Sequence, residues 1–228
     1  SNIPYRNLDV KQIEKIYEFL KLEIPQLFFV ERITCQHMPV LKCGVVIPKY
    51  RMSKENAFAT LDALKVKVEQ IKQNMTCINE YEKEKYIHDY LCKHVKYDYS
   101  FRDSSFECVG PLLFGKGVCE GISKATKLLL AACGIDSLIV HGRSNNQQVQ
   151  IANNDSHAWN IVRISNSFYH LDVTFDMTIM VFDVVRYDYM NLSDSDIMLD
   201  HSFVQSDYPC CSSSRDYYIE NNMYTVSY

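Results

Sequence analysis

The sequence predicts a mixed chain of helices and antiparallel strands, and three stretches predict it most directly. From Cys119 to Cys133 the apolar residues Ile122, Ala125, Leu128, Leu129 and Ala132 recur at helical spacing, and Gly134 supplies the stop. The runs Ala158 to Ile164 and Phe168 to Phe175 are rich in β-branched and aromatic residues, with Ser165-Asn166 between them as a two-residue hairpin turn. Near the start, Asp9 with Gln12 has the form of a capping box before Val10, Ile13, Ile16 and Leu20.

The remaining elements follow in order. Phe28 to Thr34 and Val40 to Ile47 read as strands, and Ser53 opens a helix with Ala57, Leu61, Leu64, Val68, Ile71 and Met75 on one stripe. Asn79 with Glu82 begins a third helix that runs to about Val95, the Cys119 helix follows after a loop, and Leu138 to His141 is a short strand. The polar segment from Arg143 to Ser156 is a candidate lid, although an exposed loop without a duty has the same composition. Beyond Asp176 strands and irregular structure mix. With no repeat and no linker, residues 1–228 are expected to form a single domain: an extension over 1–78, a core over 79–176 and a C-terminal extension over 177–228.

The chemistry is concentrated in Gly117-Val118-Cys119-Glu120-Gly121, His157-Ala158-Trp159-Asn160 and Asp172-Val173-Thr174-Phe175-Asp176. In the first turn of its helix Cys119 meets unpaired N–H groups and the positive end of the helix dipole, which favour thiolate over thiol. The hairpin register sets Trp159 opposite Asp172 and His157 opposite Thr174, so that His157 and Asp172 are diagonal neighbours on one face, about 7–8 Å apart at the backbone. A slip of one residue would separate them. Asp176 shares that face and is the alternative acid. A cysteine, a histidine and a carboxylate so arranged are the parts of a nucleophilic acyl-transfer site.

These three motifs, in this order, resemble the core of the bacterial transglutaminase-like (transglutaminase/protease-like) superfamily. Ile87-His88-Asp89-Tyr90-Leu91 with Tyr97-Asp98-Tyr99 resembles the helix and loop before its cysteine. Tyr187-Asp188-Tyr189-Met190-Asn191-Leu192-Ser193-Asp194 with Asp200-His201 resembles its C-terminal extension, and Ile24-Pro25-Gln26-Leu27-Phe28-Phe29 is similar more weakly. The resemblance implies a papain-like α+β fold with Cys119 as nucleophile, His157 as general base and then acid, and Asp172 orienting the imidazole. It implies a protein or peptide substrate. Water would resolve the acyl-enzyme in a peptidase or amidase, an amine in a transglutaminase; with no amine-binding acidic pair beyond Asp176 and Glu120, hydrolysis is the expectation. A catalytically inactive binding or scaffold module of the same fold is the alternative.

An oxyanion hole needs a second donor beside the Cys119 backbone N–H. Papain-like enzymes often place a glutamine six residues before the nucleophile, but that position here is Leu113, which leaves the hydroxyls of Tyr97 or Tyr99 among the 16 tyrosines. Other residues have plainer readings. Trp159 walls the site or is core, and Glu120 is a dipole partner in the first turn. His88 and His94 with Cys92, and Cys35 with His37, lack the paired spacing of a zinc site, so no metal or cofactor is expected. Cys210-Cys211 is too close for an easy mutual disulfide.

At 228 residues, with 47% hydrophobic and 23% charged, the chain can bury a large core unaided. A net charge of −4 gives no basic face for nucleic acid, and no apolar run approaches the roughly 18 residues of a membrane span. Nine dispersed cysteines lack the regularity of a disulfide scaffold and lean toward a reducing setting. The resemblance leans instead toward secreted or surface proteins; Ser1-Asn2 looks like the remnant of a cleaved tag, which leaves room for an excised export signal.

Overall fold

A computed structural model describes residues 2–77, 79–145 and 156–220 of the chain, apart from the side chain of residue 219. By its internal contacts the chain divides into two compact units, 1–65 and 66–228. The boundary falls inside a helix, Lys54–Gln73.

The first unit holds β1 (Ile3–Arg6), α1 (Val10–Glu23), β2 (Val30–Met38) and β3 (Cys43–Tyr50), with α2 (Lys54–Gln73) starting in it. The capping box forms as the sequence reads: Asp9 Oδ1 accepts from the Gln12 N–H at 2.8 Å, and the Gln12 side chain accepts from the Asp9 N–H at 2.9 Å. The strands form one antiparallel sheet in the order β1-β3-β2. Both long strands lie a few residues later than expected because Pro39–Leu41 makes a 3₁₀ turn between them. Proline cannot continue the ladder there.

The second unit carries α3 (Glu80–His94), β4 (Lys96–Tyr97), β5 (Lys116–Gly117), α4 (Cys119–Ala132), β6 (Ser137–Ser144), β7 (Ser156–Ile164), β8 (Ser167–Leu171), α5 (Val173–Thr178), β9 (Met190–Leu192), α6 (Asp194–Ile197), β10 (His201–Ser202) and α7 (Tyr217–Glu220). Its main sheet is antiparallel, in the order β10-β6-β7-β8-β9. The central strand β7 is buried over most of its length. One side of it meets α4: the Ser123 hydroxyl donates to the Ala158 carbonyl at 3.0 Å, and the Asn160 side-chain amide donates to the Ser123 carbonyl at 3.1 Å. Elsewhere Trp159 and Ile161 join Val140, Ile197 and Cys211 in a buried cluster. This is an α+β fold with a cysteine at a helix N-terminus packed on an antiparallel sheet that carries the histidine, as expected.

Gly134 ends α4 with φ 78°, the left-handed conformation that glycine adopts without a steric cost. Ser165 and Asn166 have φ 49° and 68°, the pair of positive values of a type I′ hairpin turn. That turn sets the register: Asn160 pairs with Leu171 and Ile161 with His170, the alignment that the sequence predicts. The strand itself is shorter than expected. It stops at Leu171, and the Phe168–Phe175 expectation is corrected because Asp172 Oδ1 accepts from the Phe175 N–H at 3.1 Å and caps α5. Val173, Thr174 and Phe175 favour strands, but an aspartate followed by a carboxylate in the first turn is an N-terminal signal. The His157–Thr174 pairing is therefore not made. Of the segment proposed as a lid, residues 146–155 lie outside the described residues.

Candidate active site

Cys119 is the first residue of α4 and is half-buried. Its position is fixed from below and from the side. The Val118 N–H donates to the Ser105 carbonyl at 2.9 Å, and Ser105 also lies where a Cβ on Gly121 would collide, so the 103–106 turn approaches the helix only because residue 121 is glycine. Beneath the first turn the buried ammonium of Lys124 lies 2.8 Å from Glu107 and 2.8 Å from Glu120 and donates to the Phe106 carbonyl at 3.0 Å. Glu120 thus serves to hold this cation as well as to complement the dipole.

His157 Nε2 lies 2.6 Å from Asp172 Oδ2. The two residues meet although the strand does not reach Asp172, because the cap of α5 turns that carboxylate toward His157 while its other oxygen holds the Phe175 N–H. Nε2 must donate to the carboxylate, which leaves Nδ1 as the nitrogen for another partner. Nδ1 is buried without a hydrogen bond to a described residue, and the Cys119 sulfur acts on the ring. Burial works to lower the imidazole pKa, but the Asp172 charge, its hydrogen bond and the Cys119 sulfur outweigh it and hold His157 up at about 10. The Asp172 carboxyl is correspondingly held well below the usual range: burial opposes this, and His157 and His201 prevail.

Asp176 does not join this group. Its Oδ2 lies 3.0 Å from His88 Nε2, and its Oδ1 accepts from the Tyr189 N–H at 3.0 Å. The sequence placed it on the strand face; in the helix it points to α3. Cys92 Sγ lies 3.7 Å from the same His88 nitrogen, so this second cysteine, histidine and aspartate lack the opposed-nitrogen arrangement of a relay. Both His88 nitrogens face carboxylates, of Asp176 and Asp89, and although burial opposes the cation, Cys92, Asp176 and Asp89 raise its pKa well above the ordinary value.

A cavity of about 250 Å³ opens over Cys119 and His157 and is lined also by Tyr97, Phe101, Phe106, Glu120 and His141. Tyr97 reaches it because β4 pairs in parallel with β5, Tyr97 beside Gly117, two residues from the cysteine. Its hydroxyl is buried without a hydrogen bond to a described residue. Burial and the Cys119 sulfur raise its pKa, and it also interacts with the Cys119 backbone N–H. The Tyr99 ring lies tilted beside Tyr97, centroids 5.1 Å apart, but is largely exposed.

Sequence reasoning missed His201, which is buried behind Asp172; its pairing depends on β10 closing the far edge of the sheet. Among the described residues two groups have ligand atoms close enough for a metal ion, His157 with Asp172 and His201, and His170 with Asp194 and Cys211. In both, carboxylate and imidazole atoms are engaged in hydrogen bonds to one another.

Residues 69–173 match the family model of the transglutaminase-like superfamily. The matched segment takes in the cysteine helix, the histidine strand and the aspartate cap. Among solved structures the chain is similar to a TGase, at 14% identity and TM-score 0.44, covering 81% of this chain and 53% of that one. It is similar to a protein from Cytophaga hutchinsonii described as a "Putative Cysteine Protease", at 14% identity and TM-score 0.41, covering 63% of this chain and 61% of that one. A third, a "putative protease" from Parabacteroides distasonis, is 12% identical with TM-score 0.34, covering 62% of this chain and 36% of that one. The chain thus spans about half the length of the first of these. A search of curated proteins gives no match.

Proposed function

We propose that this protein is a thiol-dependent acyl-transfer enzyme acting on peptide or carboxamide bonds through Cys119, His157 and Asp172, with water as the usual acceptor. The observation that carries the reading is the division of labour on the His157 ring: Nε2 is committed to Asp172 at 2.6 Å, and Nδ1 is free of other hydrogen bonds beside the sulfur of a helix-terminal cysteine.

The Cys119 thiolate attacks the substrate carbonyl carbon, forming a C–S bond as the carbonyl electrons move to oxygen. That oxyanion is met by the Cys119 backbone N–H and by the Tyr97 hydroxyl, which has a proton to donate and no other described acceptor. When the carbonyl reforms, the C–N bond breaks and the imidazolium of His157 gives its proton to the leaving amine. Water then attacks the thioester, His157 takes its proton, and the acid leaves as the thiol is released. Phe101 and Phe106 supply apolar walls for the substrate's chain.

Iodoacetamide labelling at pH 6 to 7 followed by peptide mapping tests the reading. Cys119 should be alkylated well ahead of the other eight cysteines, and His157→Ala should abolish that lead. Equal labelling of Cys119 and several others would overturn the proposal.

A further inference from the structure

We propose that Asp200-His201 is a positioning pair for the triad, one that clamps Asp172 from behind and tempers the charge that Asp172 exerts on His157. The inference rests on the acyl-transfer reading of Cys119, His157 and Asp172, and it concerns residues outside the 69–173 segment that matches the superfamily.

His201 is 4% exposed, on the edge strand β10. Its Nε2 lies 3.1 Å from Asp172 Oδ2, the same oxygen that His157 Nε2 approaches to 2.6 Å. Its Nδ1 lies 2.6 Å from Asp200 Oδ1, and Asp200 Oδ2 accepts from the Tyr189 hydroxyl at 2.5 Å. A ring nitrogen facing an ionised carboxylate has to donate, so with Asp172 and Asp200 charged His201 carries both protons. The ring is locked by aromatic neighbours: centroids lie 4.5 Å from Phe175, 4.9 Å from Trp159 and 5.8 Å from Tyr189.

The groups that face His201 are therefore Asp172 from the cap of α5, Asp200 from its own segment, Tyr189 before β9 and His157 from β7, whose ring centroid is 5.3 Å away. His170 on β8 is also within its field. It stays neutral by geometry, since its Nδ1 accepts from the Trp159 indole N–H at 2.9 Å, and burial first and His201 after it lower its pKa. The cation across Asp172 from His157 has two effects. It supplies a third hydrogen bond to a carboxylate already holding His157 and the Phe175 N–H, which fixes the oxygen aimed at His157. It also opposes the second positive charge on His157, so that the base is not held too tightly to its proton.

Two variants separate tuning from packing. His201→Gln keeps a donor for Asp172 but removes the cation. Asp200→Asn keeps the ring in place and removes the carboxylate that requires its second proton. The His157 ring titration, followed by NMR in the full chain, should move to higher pH by about one unit in both, with alkylation at pH 7 still selective for Cys119. An unchanged His157 midpoint in both variants overturns the proposal; so does a shift in His201→Gln alone, which would assign the effect to ring packing. If His201→Gln does not fold, Asp200→Asn decides alone, by whether the midpoint rises or stays. Failure of the acyl-transfer reading is read separately, from unselective alkylation of the wild-type protein.

Discussion

Tyr97 brings one hydroxyl to the site, and its contribution can be measured by deleting that single atom. Tyr97→Phe keeps the ring against Tyr99 and removes the donor, so kcat should fall about 10²-fold with KM little changed and selective alkylation of Cys119 retained. An unaltered kcat would exclude the hydroxyl from the oxyanion hole. The His157 imidazolium, held to about pH 10 by Asp172 and the Cys119 sulfur against the effect of burial, sets the alkaline behaviour. Because its folded pKa lies above the ordinary value, the ion pair is intact below about pH 6.5 and up to the folded midpoint, and is lost as pH rises through about 10. Activity should therefore decline on the alkaline side near pH 10, and Asp172→Asn should bring that limb down in pH; a limb that stays in place would remove Asp172 from the role. Cys119, His157 and Asp172 were legible as candidates because acyl-transfer chemistry restricts the side chains that can perform it, whereas nothing in that chemistry points to His201. Between Tyr97 and Tyr99 the sequence left the choice open, since only the parallel β4–β5 pairing puts one of them beside Gly117.

At the scale of elements, α3 carries a buried acid that couples its packing to pH. Glu84 is fully buried and accepts from the Asn191 amide on β9 at 3.0 Å, while its second oxygen and the Asn191 carbonyl oxygen have no hydrogen-bond partner among the described residues. A proton on Glu84 gives that pair the donor it lacks, and burial pushes the carboxyl up to about 7 from 4.5, with Asn191, His88 and Arg215 opposing. The folded chain thus retains a proton that the unfolded chain releases, so this contribution to stability is greatest below about pH 4.5 and is lost as pH rises through about 7. Glu84→Gln supplies the missing donor permanently. It should be more stable than wild type at pH 8 by up to about 3 kcal/mol and equal to it near pH 4.5, as denaturant midpoints would report; equal midpoints at both pH values would refute the protonated pair. Beneath α4, Lys124→Met would leave Glu107 and Glu120 without their cation and should cost about 3 kcal/mol; a change under 1 kcal/mol would show that the ion pairs contribute little. Helix starts were readable because caps are local: Asp9 and Asn79 accept the N–H groups that the sequence assigns them. Asp172 uses the same device, but its strand-favouring neighbours concealed it.

For the whole molecule the open question of chemistry is the acceptor. Water near about 55 M outcompetes a millimolar amine by roughly four orders of magnitude unless the site binds the amine or excludes water. Among the described residues lining the cavity over Cys119 the one carboxylate, Glu120, is held by Lys124. Incubation with glutamine- or peptide-containing substrates and a labelled primary amine should give release well above label incorporation, both lost in Cys119→Ala; incorporation in excess of release would overturn the hydrolytic assignment. Among the described residues no helix is long and apolar enough to cross a membrane. The sequence by itself determined the four long helices α1 to α4, the hairpin and its register, because caps, periodicity and a two-residue turn act over a few residues along the chain. It also named Cys119, His157 and Asp172 as candidates, but the contact between His157 and Asp172 is made by the cap of α5 and not by the Trp159–Asp172 pairing that the hairpin register predicts. Only the tertiary structure decided that Asp172 would be a helix cap, that Asp176 would turn to His88, and that Tyr97 and His201 would flank the triad. Those outcomes depend on which strands pair across long separations and which polar groups are buried together, and no local pattern encodes either.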